Sequence, residues 1–235
     1  MATALVSIVV PHRDAGDLLL EALESVARQS VGPIETIVVD DGSRDDPAAR
    51  LSASPVPVRL LRQEHRGPSA ARNRGIAAAG GRYLAFLDAD DLWPPHALAT
   101  MLAALGRAPE AGIAHGQVRR FRAAAPAEFD GPATVLGRAA GGFNLGAALF
   151  RREAVARLNG FDERLRTSED VDFWIRSRAA GIVRLPLPEV TLYYRRGHGS
   201  LMEGLTGDAR RRDHLDVWMR SLARVARDRR REAQP

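Results

Sequence analysis

Residues 69–91, SAARNRGIAAAGGRYLAFLDADD, decide the fold. The spacing predicts a helix over 69–79, ended by Gly80-Gly81. Residues 83–87 form an apolar run too short for a helix and read as a buried strand. Three carboxylates in four positions follow at once: Asp88, Asp90 and Asp91. The same alternation recurs toward the N-terminus. Residues 5–11 are apolar and β-branched, suited to a strand covered on both faces. Residues 17–28 carry Leu18, Leu19, Ala22, Leu23 and Val26 at helical spacing. A strand over 35–39, a helix over 46–53 and a strand over 58–62 complete the series. Such alternation predicts an α/β fold: a parallel sheet covered by helices, with right-handed crossovers.

Ligands of such sheets bind beyond the carboxyl ends of the strands. The residues there are 11–14, then Asp40-Asp41-Gly42-Ser43, then Asp88-Ala89-Asp90-Asp91. Five carboxylates are thereby expected to converge on one sheet edge, where like charges cost stability unless a cation or cationic groups compensate. The second half is less regular. Helices are expected over 94–105, 152–158 and 170–180, and strands over 113–121, 145–150 and 190–195. Residues 123–142, rich in Ala, Gly and Pro, read as a loop.

The 235 residues are 45% hydrophobic and 27% charged, the composition of a soluble globular chain with a real core. Collagen-like, disulfide-scaffold and wholly disordered chains are excluded. The absence of Cys excludes disulfides, thiolate zinc, iron–sulfur clusters and cysteine nucleophiles. No apolar run approaches the roughly 18–20 residues needed to span a bilayer. Residues 1–10 lack the features of a signal peptide and read as a strand, so the expected location is cytoplasmic. The formal charge of +5 is unevenly placed. All 34 basic residues are Arg, and between 208 and 232 nine Arg face five acids. The rest of the chain is near neutral, which argues against a nucleic-acid partner. Leu215, Trp218, Met219, Leu222 and Val225 recur there at spacings of three and four. This C-terminal amphipathic helix either packs on the domain or touches anionic lipid at the inner face of the membrane.

The motifs together resemble the family 2 glycosyltransferases, an inverting group with the GT-A fold, a Rossmann-like, mostly parallel sheet. The matching stretches are VSIVVP (6–11), VVDDGS (38–43), GPSAARNRG (67–75), GRYLAFLDADD (81–91), GFDE (160–163) and SEDVDFW (168–174). The resemblance implies one domain over 1–205, with a nucleotide-sugar half over 1–100 and an acceptor half over 101–205, followed by a basic helix over 206–235. It implies a nucleotide-diphosphate sugar donor, uridine-linked first, and an acceptor that is a glycan, lipid-linked or small molecule. Acceptor choice is expected in residues 106–145. A Mn²⁺ or Mg²⁺ cofactor suits the chemistry, because charge builds on the departing phosphate oxygens and these ions take oxygen ligands.

Residue roles follow from the same resemblance. Asp90 is the expected metal ligand, and Asp88 faces the ribose or a metal-bound water. Asp41 accepts a hydrogen bond from the nucleobase, with Arg72 nearby. Pro11 is followed two positions on by Arg13 where the family usually has Tyr, and a guanidinium can stack on a base in its place. Asp170 is the general base, and Glu169 orients acceptor or backbone. Against these stand simpler readings: a helix cap for Asp88 to Asp91, an Asx turn for Asp40, and helix-dipole complementation for Glu169 and Asp170. His198 completes the metal or diphosphate site or is an ordinary surface residue. Arg195, with Arg196, suits a bidentate grip on the diphosphate. The rival functions are a non-catalytic glycan- or nucleotide-sugar-binding subunit of the same fold and a sugar nucleotidyltransferase. The latter needs a Gly-rich loop after the first strand, which residues 11–16 do not offer.

Overall fold

The computed structural model describes residues 5–122, 135–141, 144–165, 167–197 and 207–232. The first half runs β1 (Val6–His12), α1 (Leu18–Ala27), β2 (Ile34–Asp41), α2 (Pro47–Leu51), β3 (Val58–Gln63), α3 (Pro68–Ala78) and β4 (Tyr83–Phe86). It continues through α4 (Ala97–Arg107), β5 (Ala111–Phe121), β6 (Val135–Gly141), a 3₁₀ turn (Leu145–Ala147) and β7 (Ala148–Arg151). Then come α5 (Arg152–Arg157), α6 (Glu169–Ala179), β8 (Val183–Arg195) and α7 (Gly207–Glu232).

One sheet holds the described strands in the order β3-β2-β1-β4-β7-β5-β6, with β8 added against β5. The β3-β2-β1-β4 block is parallel throughout, as the alternation predicts. β7 is antiparallel to both β4 and β5, so strands from both halves of the chain share the sheet. Successive β1 residues face opposite layers. Val6, Ile8 and Val10 meet α1 and α4 residues such as Leu19, Leu23, Leu98 and Met101. Val9 instead joins Ala71 of α3, Phe86, Phe150, Phe161, Phe173 and Trp174. Burial on both faces is why the strand reads as an unbroken apolar run. Two glycines permit the closest approaches. A Cβ on Gly75 would lie 2.3 Å from Val9 Cγ1, and one on Gly81 would lie 2.7 Å from the Ser7 nitrogen. These contacts let α3 and the start of β4 close onto β1.

Three expectations are corrected in the second half. The stretch 145–150 is not strand throughout: Asn144 caps a 3₁₀ turn by accepting from Gly146 N at 2.8 Å, and the strand starts at Ala148. The turn presents the Gly146 carbonyl to Trp93 Nε1 at 2.7 Å. Residues 135–141, expected as loop, form β6 by pairing with β5, whereas 123–134 and 142–143 lie outside the described residues. The last strand begins at Val183 rather than Val190, and its pairing with β5 shifts register around Pro186.

The C-terminal helix packs on α6, but through a different face from the apolar one. Val217 and Ser221 point inward, whereas Leu215, Trp218, Met219 and Leu222 are exposed. The inward face is held by polar contacts. Arg224 donates to Asp162 at 2.7 Å and to Asp172, and Ser221 Oγ donates to Asp172 at 2.6 Å. Arg176 Nε also donates to Asp172, at 2.7 Å. Asp172 is 1% exposed, so three donors offset the desolvation of its carboxylate.

Candidate active site

β1, β2 and β4 run in the same direction, so their carboxyl ends lie along one edge of the sheet. His12 is level with Asp40, and the chain leaves β4 directly into Leu87-Asp88-Ala89-Asp90-Asp91. Neighbouring strands leave to opposite sides of β1 here, the place where open α/β sheets form their crevice.

The end of β8 clamps the aspartate loop. Leu92 and Tyr193 exchange backbone hydrogen bonds at 3.1 and 2.8 Å, and Arg195 N donates to Asp91 Oδ1 at 2.9 Å. The Arg195 guanidinium turns inward, donating to the Asp90 carbonyl at 2.8 Å and to Glu21 Oε2 at 2.5 Å. It also lies over the Phe121 ring, 4.8 Å from the centroid, and the residue is 3% exposed. Where the resemblance implies a diphosphate grip, the Nε and Nη2 donors of Arg195 meet protein oxygens and steady the loop.

Arg72 ties the loop to α6. Its Nη2 donates to Asp88 Oδ1 and its Nη1 to Glu169 Oε1, each at 2.6 Å, and its side chain is only 5% exposed. The resemblance implies Arg72 beside Asp41, whereas its guanidinium pairs with these two carboxylates. The two negative neighbours hold the guanidinium more firmly cationic than an ordinary Arg. Phe161 lies under it at 5.7 Å, and Asn73 fixes the Phe161 backbone by donating to its carbonyl at 2.9 Å and accepting from its nitrogen at 2.8 Å. The GFDE stretch thereby backs the arginine. Asn73 was missed as a functional support, because its partners lie almost ninety positions away in the sequence.

Glu169 and Asp170 open α6, as the sequence predicts. The preceding Ser168 has φ of +58°, an uncommon conformation for a residue with a side chain. Desolvation, reinforced by the charge of Glu169, raises the Asp170 carboxyl from its ordinary 3.8 to about 7. The Val171 N–H donation and Arg72 act against the rise without cancelling it. Asp170 titrates near neutrality, where a proton acceptor works best.

Of the five carboxylates expected at this edge, three are committed elsewhere. Asp40 accepts from Ser43 N at 2.9 Å, the Asx turn of the simpler reading. Asp91 is 1% exposed and pushed well above the carboxylate range by burial and by Asp90 and Asp88. Asp41 is also buried, and four donors hold it: Gln63 Nε2, His65 Nδ1, Arg66 N and Gly67 N, all at 2.8 Å. A carboxylate offers about four lone-pair sites, so this one is saturated. With these partners Asp41 braces residues 63–67 and the start of α3, the helix that carries Arg72. Of the two side-chain donors His65 is the exposed one, with 49% of its side chain accessible. Its Nε2 lies 2.9 Å from Arg13 Nη1, so Arg13 leans on an imidazole. Pro11 sits within β1, level with Val39. His198 lies outside the described residues.

Asp88 and Asp90 are the two partly exposed carboxylates of the group. Burial and the charges of Asp90 and Glu169 push Asp88 upward despite Arg72. Tyr194 is likewise raised to about 12, by burial and by Asp91, Asp88 and Asp90. Negative charge thus exceeds what Arg72 neutralises, and oxygen is the available donor. That suits a hard divalent cation. Among the described residues no three His, Asp or Glu side chains already form a cluster able to hold a metal. One or two carboxylates, completed by phosphate oxygens and water, is the usual way Mg²⁺ is held.

A profile of Glycosyl transferase family 2 matches residues 7–158, more than half of the chain, and the protein belongs to that family. The succinoglycan biosynthesis protein ExoU of Rhizobium meliloti (strain 1021) is 31% identical over 198 residues, covering 75% of this chain and 57% of its own length. The uncharacterized glycosyltransferase YibD of Escherichia coli (strain K12) is 43% identical over 93 residues, 38% of this chain and 27% of that protein. The chain spans well under two thirds of these relatives. Among solved structures, S. aureus TarS in complex with UDP-GlcNAc matches at TM-score 0.68 and 21% identity, over 86% of this chain and 61% of that one. The mannosyltransferase PcManGT of Pyrobaculum calidifontis, in complex with GDP-Man and Mn²⁺, matches at 0.66 and 20% identity, over 87% and 60%. At these identities the likeness concerns the fold, which is that of the GT-A glycosyltransferases.

Proposed function

We propose that this chain transfers a glycosyl group, with inversion, from a nucleotide-diphosphate sugar to an acceptor hydroxyl. The observation that carries the reading is the placement of Asp170. It stands at the head of α6, joined through Glu169 and Arg72 to the aspartate loop, and burial with the charge of Glu169 raises its carboxyl to about 7. In a single displacement the acceptor oxygen bonds to the anomeric carbon as the bond from that carbon to the phosphate oxygen breaks. Asp170 takes the hydroxyl proton, and the nucleoside diphosphate departs with the electron pair. Glu169 and Arg72 keep Asp170 and the Asp88–Asp91 loop in register during this step, so that base and leaving group lie on opposite sides of the sugar.

Asp90, with Asp88, would hold Mn²⁺ or Mg²⁺. When bound, such an ion supplies positive charge where the diphosphate accumulates negative charge. The nucleobase enters at Asp41 by replacing His65, the more exposed of its two side-chain donors, and Arg13 offers a plane for stacking. Uridine is the first choice of base. TarS carries a uridine donor and PcManGT a guanosine donor, so both nucleotides belong in the test. The acceptor class is a glycan, a lipid-linked glycan or a small hydroxylated molecule.

The test is release of nucleoside diphosphate from a panel of UDP- and GDP-sugars, with and without Mn²⁺. Asp170→Asn is expected to abolish transfer and leave nucleotide affinity within about twofold, since it removes a proton acceptor and no donor contact. Equal loss of both would give Asp170 a binding or folding role. Donor binding without turnover under any condition would favour a non-catalytic subunit.

A further inference from the structure

Among the described residues, the outward face of α7 gathers most of the exposed large apolar side chains that the site leaves unexplained. Leu215, Trp218, Met219 and Leu222 are 58, 45, 56 and 40% exposed, and at these spacings they form one stripe. The helix cannot roll to hide them, because its opposite face is fixed by Val217, Ser221 and Arg224. The last two reach the buried Asp172 and the half-buried Asp162. Apart from Val217 the inward contacts are polar while the apolar stripe faces outward, unlike an ordinary packed surface helix. Beside the stripe, Arg220 has 76% of its side chain exposed, and Arg227 is exposed as well. The segment 208–232 carries nine Arg against five acids.

We propose that this face seats on an anionic phospholipid surface, with Leu215, Trp218, Met219 and Leu222 entering the headgroup boundary and the arginines meeting lipid phosphates. Charge selects this occupant over a second copy of the chain. Two such helices laid face to face would each bring a net +4, whereas an anionic leaflet attracts each exposed Arg. Area points the same way. The stripe offers roughly 400 Å² per copy, about half of what each partner contributes to a stable protein interface. An aromatic and aliphatic stripe bordered by Arg has the composition of helices that lie in the membrane interface. The inference is independent of sugar transfer, because its readouts concern binding alone.

The test uses the full chain with phosphatidylcholine vesicles, plain or containing about a third phosphatidylglycerol. The expected result is co-sedimentation with the anionic vesicles only, weakened by added salt. Trp93 and Trp174 are 0 and 2% exposed, so a blue shift of tryptophan emission on the vesicles reports Trp218. The double variant Trp218→Ser, Met219→Ser changes only exposed positions and should keep its thermal unfolding midpoint. It should bind the vesicles at least about tenfold more weakly. Failure of the wild-type chain to sediment with anionic vesicles would overturn the proposal, as would equal sedimentation of the double variant. A wild-type dimer that the double variant dissociates, without lipid binding by either, would assign the face to a second copy instead.

Discussion

Asp170 is held at the head of α6 with a carboxyl that titrates near 7, and its environment gives that value two separable consequences. As a proton acceptor it works only when ionised. The transfer rate should therefore rise with pH along a single-proton limb with its midpoint near 7 and level off above, and Asp170→Asn should remove the limb. A rate independent of pH from 5.5 to 8.5 would place the base elsewhere. The second consequence is thermodynamic. The folded pKa lies above the ordinary 3.8, so between about 4 and 7 the folded state binds more protons than the unfolded chain. Stability from this group accordingly falls as pH rises through that window. Asp170→Asn should raise the unfolding midpoint at pH 8 and leave it nearly unchanged at pH 4, as thermal unfolding at the two pH values would show. The roles of Asp88, Asp90, Glu169 and Asp170 came from the family resemblance, whereas their places, after a strand and at the head of a helix, were legible in the sequence. The partners of Asp41 and Arg195 were not, since a saturated carboxylate and an inward-turned guanidinium leave no local mark on the chain.

Among the elements, α3 is a strut between the aspartate loop and α6. Gly75 lets it lie against Val9, Asp41 anchors its start through Arg66 N and Gly67 N, and Arg72 reaches both acidic groups. Arg72→Met should strand two partly buried carboxylates and cost about 3–5 kcal/mol in denaturant unfolding. Retained stability would mean that water or other groups already satisfy Asp88 and Glu169. Gly75→Ala should cost about 1–3 kcal/mol, because the added carbon has no room beside Val9. Strand and helix identities in the first half were readable since buried strands and amphipathic helices impose different periods. β6 was not: VLGRAAG has weak strand propensity and becomes extended only by pairing with β5. The early part of β8 was hidden by Pro186 and Pro188, which argue against a strand unless the ladder is irregular, as it is beside β5.

For the whole molecule, the sheet edge, the strut and the C-terminal helix form one chain of contacts. Asp172 sits two positions beyond the proposed base and holds α7 through Ser221 and Arg224. Arg224→Ala should loosen α7, read as faster amide exchange over 215–227, with a loss of about 1–3 kcal/mol. The periodicity of α7 revealed its apolar stripe but not which side met the protein, because a buried ionic contact, rather than hydrophobicity, chose the docked face. The central claim remains the gathering of Asp88 and Asp90 round a divalent ion that receives a nucleoside diphosphate. Calorimetric titration of UDP and GDP into the chain, with and without Mn²⁺, tests it most directly. The account predicts saturable binding of one of them that strengthens at least tenfold with Mn²⁺ and loses that gain in Asp90→Asn. Binding of equal strength with and without metal, or no binding of either nucleotide, would contradict it.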